Sequence, residues 1–359
     1  MRSTRNNAGP EAHNEENGRR QGVIPEMIRQ RRLTIFLAAA LLIILIGSLS
    51  LSPPLASLLT FRKVDDYPLY TMQYHGDYHF LQTRELETTS SINSYLGQQN
   101  QQPACTVFYG RTGQGEALLG RNFDWKHRST LLLYTDPPDG YASVSMVDLG
   151  YFGFDEGVSW QAINDLKQAP FWPFDGMNER GVGIGIMAVP AAPGLFDPNK
   201  PTLDSLEVVR LILDYAGNLD EALELIQNVN IDFSGGPWLH YLISDRQSSA
   251  VVEIHSDRIE ILRSQQPWQA ATNFILAGLS EEEADRSCRR YKKASNTLEA
   301  AQGVLEPLAA MQLLKDTSQE NTVWSVLSNL SSGEIQIALG RDYADVHLFD
   351  LGNPLEEIK

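Results

Sequence analysis

Cys105 opens an apolar run, Cys105-Thr106-Val107-Phe108-Tyr109-Gly110, and is one of only two cysteines in 359 residues. Arg121 follows it by 16 residues and Asp124 by 19, inside Gly120-Arg121-Asn122-Phe123-Asp124-Trp125. A thiol at the start of a strand is placed to attack a carbonyl once it is activated. A nearby guanidinium favours the thiolate. A carboxylate can accept a hydrogen bond from an α-amino group. A free α-amine, with a reference pKa of about 7.7–8.0, can carry a proton near neutrality. Together these residues suit amide hydrolysis by a cysteine whose own amine is freed by cleavage before it. Blander roles fit the same residues. A free cysteine is usually a buried small hydrophobe. Arg121 and Asp124 would also serve as a structural ion pair, because charge among apolar residues needs a partner.

The surrounding elements must bring these groups together. Thr106–Tyr109 and Ala117–Asp124 read as a hairpin around Gly113-Gln114-Gly115. Strands are expected at Leu131–Thr135, Ser143–Leu149, Val182–Val189, Trp238–Ser244 and Ala250–His255, then at Val323–Leu330, Glu334–Leu339 and Val346–Phe349. Helical spacing marks Ser205–Tyr215, Leu219–Val229, Glu281–Gln302 and Pro307–Asp316. Strand runs flanking blocks of helices predict an α+β fold of stacked sheets with helices outside. Gly181, Gly183 and Gly185 lack the spacing of a dinucleotide loop and, on one strand face, predict close packing instead. His75 and His79 lack further ligands for a zinc site. No cofactor and no metal are expected. The aromatic-rich stretch Ala169–Phe174 is a candidate lining for an acyl pocket.

The constellation resembles the choloylglycine hydrolase family of N-terminal-nucleophile amidases, which includes bile salt hydrolases and penicillin V acylases, with acid ceramidase-like relatives. Its pattern of C-T at the mature start and G-R-N-x-D-W stands here as Cys105-Thr106 and Gly120–Trp125. Asn178-Glu179-Arg180-Gly181-Val182 and the strand to Pro190 resemble the family's N-E-x-G-L block. Thr272-Asn273 resembles its T-N pair, and Arg290-Tyr291 its R-F/Y segment, with Arg289 an adjacent alternative to Arg290. The resemblance implies a four-layer αββα fold and a mechanism in which Cys105 attacks and its α-amine relays the proton. Asn273 and the backbone N–H of Ala188 would stabilise the oxyanion, and Arg290 would join the cysteine network. The implied substrate is a linear N-acyl amide. About a hundred residues precede Cys105, unlike the bile salt hydrolases and more like the acid ceramidase side, where that segment is cut. An acyltransferase with the same centre, or an inactive binding ectodomain, are the alternatives.

Four regions are expected. Residues 1–32 form a polar tail with seven Arg and four Asp or Glu. Residues 33–52 contain the uncharged run Leu33–Leu51, long enough to span a bilayer. Arg29, Arg31 and Arg32 precede it and predict a cytoplasmic N-terminus for an anchor; a cleaved signal peptide is the rival. Residues 53–104 are a linker and pre-nucleophile segment, with 53–62 juxtamembrane. Residues 105–359 are the catalytic domain. The membrane is thus expected as a partner through 33–52, with the rest extracytoplasmic; self-association is left open. A net charge of −16 overall, with +3 in the tail, leaves −19 elsewhere. That excludes broad nucleic-acid binding, which needs clustered Lys and Arg. Outside the cytoplasm, Cys105 and Cys288 could form a disulfide, which would consume the nucleophile.

Overall fold

Leu131–Tyr134 and Gly183–Val189 are apolar throughout rather than alternating, which predicts burial on both faces. The computed structural model describes residues 53–81, 104–126, 129–154, 160–190, 195–234 and 236–358. The tail, the expected anchor at 33–52 and the stretch 82–103 lie outside the described residues. Among the described residues no helix is long and apolar enough to cross a membrane.

In chain order, helix α1 (Pro53–Thr60) leads to β1 (Arg62–Asp65) and β2 (Leu69–Tyr74). The hairpin β3 (Ala104–Arg111) and β4 (Ala117–Asp124) follows, turning at Gly115 with φ +84°. Next come β5 (Thr130–Thr135), β6 (Ser143–Asp148), α2 (Trp160–Asp165), β7 (Asp175–Asn178) and β8 (Gly183–Val189). The middle of the chain holds β9 (Thr202–Asp204), α3 (Glu207–Tyr215), α4 (Leu219–Gln227) and β10 (Asn230–Asp232). Then follow β11 (Trp238–Ser244), β12 (Ser249–Ile254), β13 (Ile259–Arg263) and β14 (Gln269–Ala271). Helices α5 (Glu281–Ser287), α6 (Arg289–Ala300) and α7 (Pro307–Thr317) precede β15 (Thr322–Asn329), β16 (Glu334–Leu339) and β17 (Val346–Asp350).

Two large sheets result. One has nine strands in the order β1-β2-β5-β6-β7-β8-β11-β12-β13, antiparallel except for the parallel β2–β5 pair. The other has six antiparallel strands, β14-β3-β4-β15-β16-β17. The sheets face each other where β3 and β4 meet β8. α3 packs on β7 and β8 and α4 on β11, outside the nine-stranded sheet. α6 packs on β3 and β14, and α7 on β4 and β15, outside the other. The expected α+β sandwich with outer helix layers is present.

Two segments differ from the sequence reading. The single helix expected over 281–302 is two. Cys288 adopts extended backbone (φ −150°, ψ 124°), ends α5 and caps α6. The helical run is interrupted at Cys288 alone, and α6 restarts at Arg289, with Ala284 buried in α5 and Ala294, Ser295 and Leu298 buried in α6. The restart puts Arg290 in the first turn of α6.

The second difference is before Cys105. Residues 53–62, read as a juxtamembrane linker, form α1 and enter β1. β2 is an interior strand with Leu69 and Met72 fully buried and Tyr74 nearly so, and Tyr78 and Phe80 beyond it are also buried. Tyr78 donates a 2.6 Å hydrogen bond to Asp214 of α3. Asp214 also faces Arg210, whose guanidinium donates to Thr135 Oγ1 and Ser143 Oγ. Phe61 stacks on Tyr70 at 4.8 Å. Burial of each large apolar side chain contributes about 1.5–3 kcal/mol. The segment is therefore part of the core rather than an appendage. A protease site inserted within residues 90–102 tests this: after cutting, residues 53–81 should co-elute with the remainder on gel filtration and separate only in denaturant.

Candidate active site

Cys105 and Arg121 come together because β3 and β4 are neighbours, with Cys105 opposite Phe123 and Val107 opposite Arg121. Alternation turns Cys105, Val107, Arg121 and Phe123 toward the nine-stranded sheet. Gly185 of β8 lies directly across. A Cβ there would sit 3.0 Å from a Val107 methyl and 3.4 Å from Arg121 Cδ, so a side chain would crowd the guanidinium's path. Arg121 is 1% exposed. Its Nη1 pairs with Asp175 and donates to Phe174 O at 2.6 Å. Its Nη2 donates to Ile186 O at 3.2 Å and stands 3.9 Å from Cys105 Sγ. Trp324 Nε1 donates to Asp175 Oδ2 at 3.1 Å.

The guanidinium does not leave the thiol ionised. Burial pushes the Cys105 thiol up, and Arg121 and the Asp124 backbone N–H only partly oppose it. The expected thiolate is overruled because burial outweighs the Arg121 charge, and the nearby Asp124 charge adds to the rise. Cys288 behaves in the opposite way. Despite burial, the neighbouring Thr272 side chain, the backbone N–H groups at the start of α6 and the Arg290 charge hold it below the ordinary thiol value. Both cysteines are free thiols, so the disulfide does not form.

Asn122 and Asp124 point to the other face of the sheet. Asn122 Nδ2 donates to Leu314 O and Thr317 Oγ1 in α7. Asp124 Oδ1 accepts from Thr322 Oγ1 at 2.5 Å, while its buried Oδ2 has no hydrogen-bond partner. Burial pushes this carboxyl up to about 6, against Thr322 and the charges of Arg290 and Arg121.

Asn273 follows β14 and meets the backbone of Cys105. Its Oδ1 accepts from Cys105 N at 2.5 Å and from Arg290 Nη2 at 3.0 Å. Its Nδ2 donates to Ala188 O at 2.8 Å. Two donors on one side and an acceptor on the other fix the amide's orientation. Arg290 Nη1 also donates to Cys105 O and, at 3.0 Å, to Thr106 Oγ1. Arg289 is exposed. Of the two arginines, Arg290 makes the contacts. Ala188 sits on β8 opposite Leu239 of β11, at the rim of the same cluster.

A narrow cavity opens beside the thiol. Its walls are Cys105, Arg121 and apolar groups, chiefly Phe123, Trp125, Tyr151, Phe174 and Leu239. It offers about 30 Å³ to the centre of a water molecule, room for roughly two or three waters. Phe174, from the stretch singled out in the sequence, supplies one wall, and Tyr151 stacks on it at 5.6 Å. Trp172 of the same stretch supports Tyr151 from behind.

The six residues named from the sequence thus converge: Cys105, Arg121 and Asp124 on adjacent strands, with Asn273, Arg290 and Ala188 around the Cys105 backbone. Asp175 was missed. Its signal was a carboxylate three residues before Asn178-Glu179 in a buried strand, where charge demands a partner. Thr322, which holds Asp124, carries no sequence signal of its own.

Residues 111–343, more than half of the chain, match the family described as acyl-coenzyme A:6-aminopenicillanic acid acyl-transferase. The chain belongs to this family. The match contains Arg121, Asp124, Ala188, Asn273 and Arg290, and begins six residues after Cys105. No curated protein matches the chain. Among solved structures, a mutant of the conjugated bile acid hydrolase from Clostridium perfringens superposes with a TM-score of 0.51 at 15% identity, over 71% of this chain and 96% of that one. The penicillin V acylase of Agrobacterium tumefaciens gives 0.46 at 16% identity, over 68% and 91%. The Caenorhabditis elegans N-acylethanolamine-hydrolyzing acid amidase ortholog gives 0.44 at 13%, over 63% and 93%. The first of these shows that the fold is shared.

Two outcomes follow from the site's electrostatics. In the uncut chain, iodoacetamide at neutral pH should label Cys288 before Cys105, read by peptide mass spectrometry. Asp124 binds its proton more tightly folded than unfolded. It costs nothing below the unfolded value of 3.8 and opposes folding increasingly as pH rises through 6. Asp124→Asn should therefore gain stability over wild type at pH 7.5, by up to about 3 kcal/mol, and gain little at pH 3.5. Paired denaturant curves measure this.

Proposed function

We propose that this chain is a cysteine amidase that hydrolyses linear amides of apolar N-acyl compounds through a thioester on Cys105. Family membership carries the coarser part, an enzyme working on linear amide bonds. The observation that supports the finer part is the convergence of Asn273, Arg290 and Arg121 on the thiol and backbone of one residue, Cys105, at the mouth of an apolar cavity.

Cleavage of the Ala104–Cys105 bond would free the α-amine. The amine takes the proton from Sγ, and sulfur attacks the amide carbonyl. This route suits a thiol held neutral by burial, because no standing thiolate is required. The tetrahedral oxyanion is received by the Ala188 N–H and by Asn273 Nδ2, once that amide lets go of Ala188 O. The ammonium returns its proton to the departing amine, leaving an acyl-thioester. Water, activated by the same amine, attacks the thioester; the acid leaves and sulfur recovers its proton. Asp124, with a free buried oxygen, would receive a hydrogen bond from the new amine. Aromatic walls favour an apolar acyl group.

The family's name favours one further outcome: the thioester passes to an amine rather than to water, with the same residues in the same roles. Residues 33–52 are read as a membrane anchor, or alternatively a cleaved signal, carrying this domain outside the cytoplasm.

Intact mass and N-terminal sequencing of wild type beside Cys105→Ala are decisive. Wild type should begin at Cys105 while the mutant stays uncut, and the mature enzyme should release acid from N-octanoyl-p-nitroanilide. Uncut wild type would refute the free-amine mechanism. Product trapped as a new amide when free amine is added would mark acyl transfer.

A further inference from the structure

Behind Asn273, between the sheets, lies a polar pair that the chemistry above does not use. Tyr241 of β11 is opposite Val252 of β12, so the next pair along the ladder is His240 and Glu253. Both are 0% exposed. His240 Nε2 reaches out of the nine-stranded sheet to Thr272 O at 2.6 Å, where the chain leaves β14 of the other sheet. A carbonyl oxygen only accepts, so Nε2 is the donor. Glu253 faces His240 Nδ1 at 3.4 Å. It accepts the backbone N–H of Leu276 at 2.6 Å and of Ala277 at 3.0 Å, with His255 Nε2 3.5 Å from its other side. Burial alone would raise this carboxyl; the hydrogen bonds from His240, Leu276 and Ala277 hold it below the ordinary value.

We infer that His240 and Glu253 are positioning residues: they clamp residues 272–277 at both ends and so set Asn273 against Cys105 and Ala188. The inference rests on the amidase reading of the same site. Three lines support it. The clamp's contacts on this loop are to backbone atoms, so it fixes the path of the chain whatever the side chains are. Asn273 is the next residue after the His240 contact and three before the first Glu253 contact. The neighbours Tyr241, Leu242, Val251 and Val252 are fully buried and mostly apolar. A buried His–Glu pair among them is a poor way to gain stability, because desolvation offsets the attraction. Its return is geometric. A displacement of the order of 1 Å in a group that stabilises the transition state costs on the order of 100-fold in rate.

The test uses the mature enzyme, N-octanoyl-p-nitroanilide as probe, and hydrogen exchange of the 272–279 peptide. His240→Ala should lower kcat on the order of 100-fold with KM nearly unchanged. Its 272–279 amides should exchange at least about tenfold faster while the global unfolding midpoint shifts little. His240→Gln, whose amide can still donate to Thr272 O, should recover most of kcat. In an Asn273→Ala background, His240→Ala should change the residual rate by less than about twofold, because the residue it positions is gone. Should His240→Ala fail to fold, Glu253→Gln, which can no longer accept both backbone N–H groups, supplies the same comparisons. The inference is overturned if exchange at 272–279 is unaltered, or if the rate loss persists in full without Asn273. Wild type that hydrolyses no N-acyl amide defeats the amidase reading instead, and the exchange data still decide whether the pair holds the loop.

Discussion

A guanidinium buried between two sheets, and answered by a carboxylate from the opposite sheet, is the constraint on which the rest of this structure depends. Arg121 leaves β4 and Asp175 leaves β7, so their pairing ties the six-stranded sheet to the nine-stranded one. Removing one partner of such a buried pair typically costs about 3–5 kcal/mol, because the other charge is stranded. Further donors and acceptors join the shell, Trp324 on Asp175 and the carbonyls of Phe174 and Ile186 on Arg121, though Arg121 Nε has no hydrogen-bond partner. Gly185 is bare of a side chain so that the guanidinium can pass. The thiol of Cys105 lies at the far edge of that shell, near a positive charge that is already spoken for.

Other parts of the molecule repeat the device of polar links across layers. Tyr78, Asp214 and Arg210 bind the pre-nucleophile segment to α3 and to β5 and β6. His240 and Glu253 reach from one sheet to the loop after the other. Arg290 joins α6 to the backbone of β3. Each link joins an apolar layer that packs without directional preference to a neighbour whose exact placement matters. Dispersion and hydrophobic burial bring the layers together; the buried hydrogen bonds select one alignment, because misalignment leaves them unsatisfied. The same logic explains Asp124. Its unpartnered oxygen is a standing cost in the uncut chain, and stored cost of this kind collects at functional sites.

Much of this was legible in the sequence. The hairpin of Cys105 and Arg121, the glycine ladder of β8, most core strands and the helices α3, α4 and α7 follow from periodicity and turn residues. Asn273 and Arg290 came from motif resemblance, not from any local physical signal. The break at Cys288 was hidden, because the residues on both sides keep helical spacing and only the extended backbone of Cys288 marks it. β1 and β2 lie in the expected linker and pre-nucleophile segment; a short, extended aromatic run does not reveal a parallel partner 61 residues away, as Leu69 and Thr130 prove to be. Asp175, His240 and Glu253 each looked like an isolated polar residue in an apolar strand.

By itself the sequence determined which residues could react, that they sit on adjacent strands, and that sheets and helices must segregate into layers. These are local properties: side-chain chemistry, a spacing of 16 residues across a tight hairpin, and the periods of strand and helix. Tertiary structure alone decided which partner each buried charge takes, how deeply the thiol is buried, that Asp124 lacks a second hydrogen bond, and that Arg290 rather than Arg289 faces Cys105. The reason is physical. A pKa or a hydrogen bond depends on distances of a few ångströms between atoms that the chain separates by tens to hundreds of residues, and only the packing of the two sheets sets those distances.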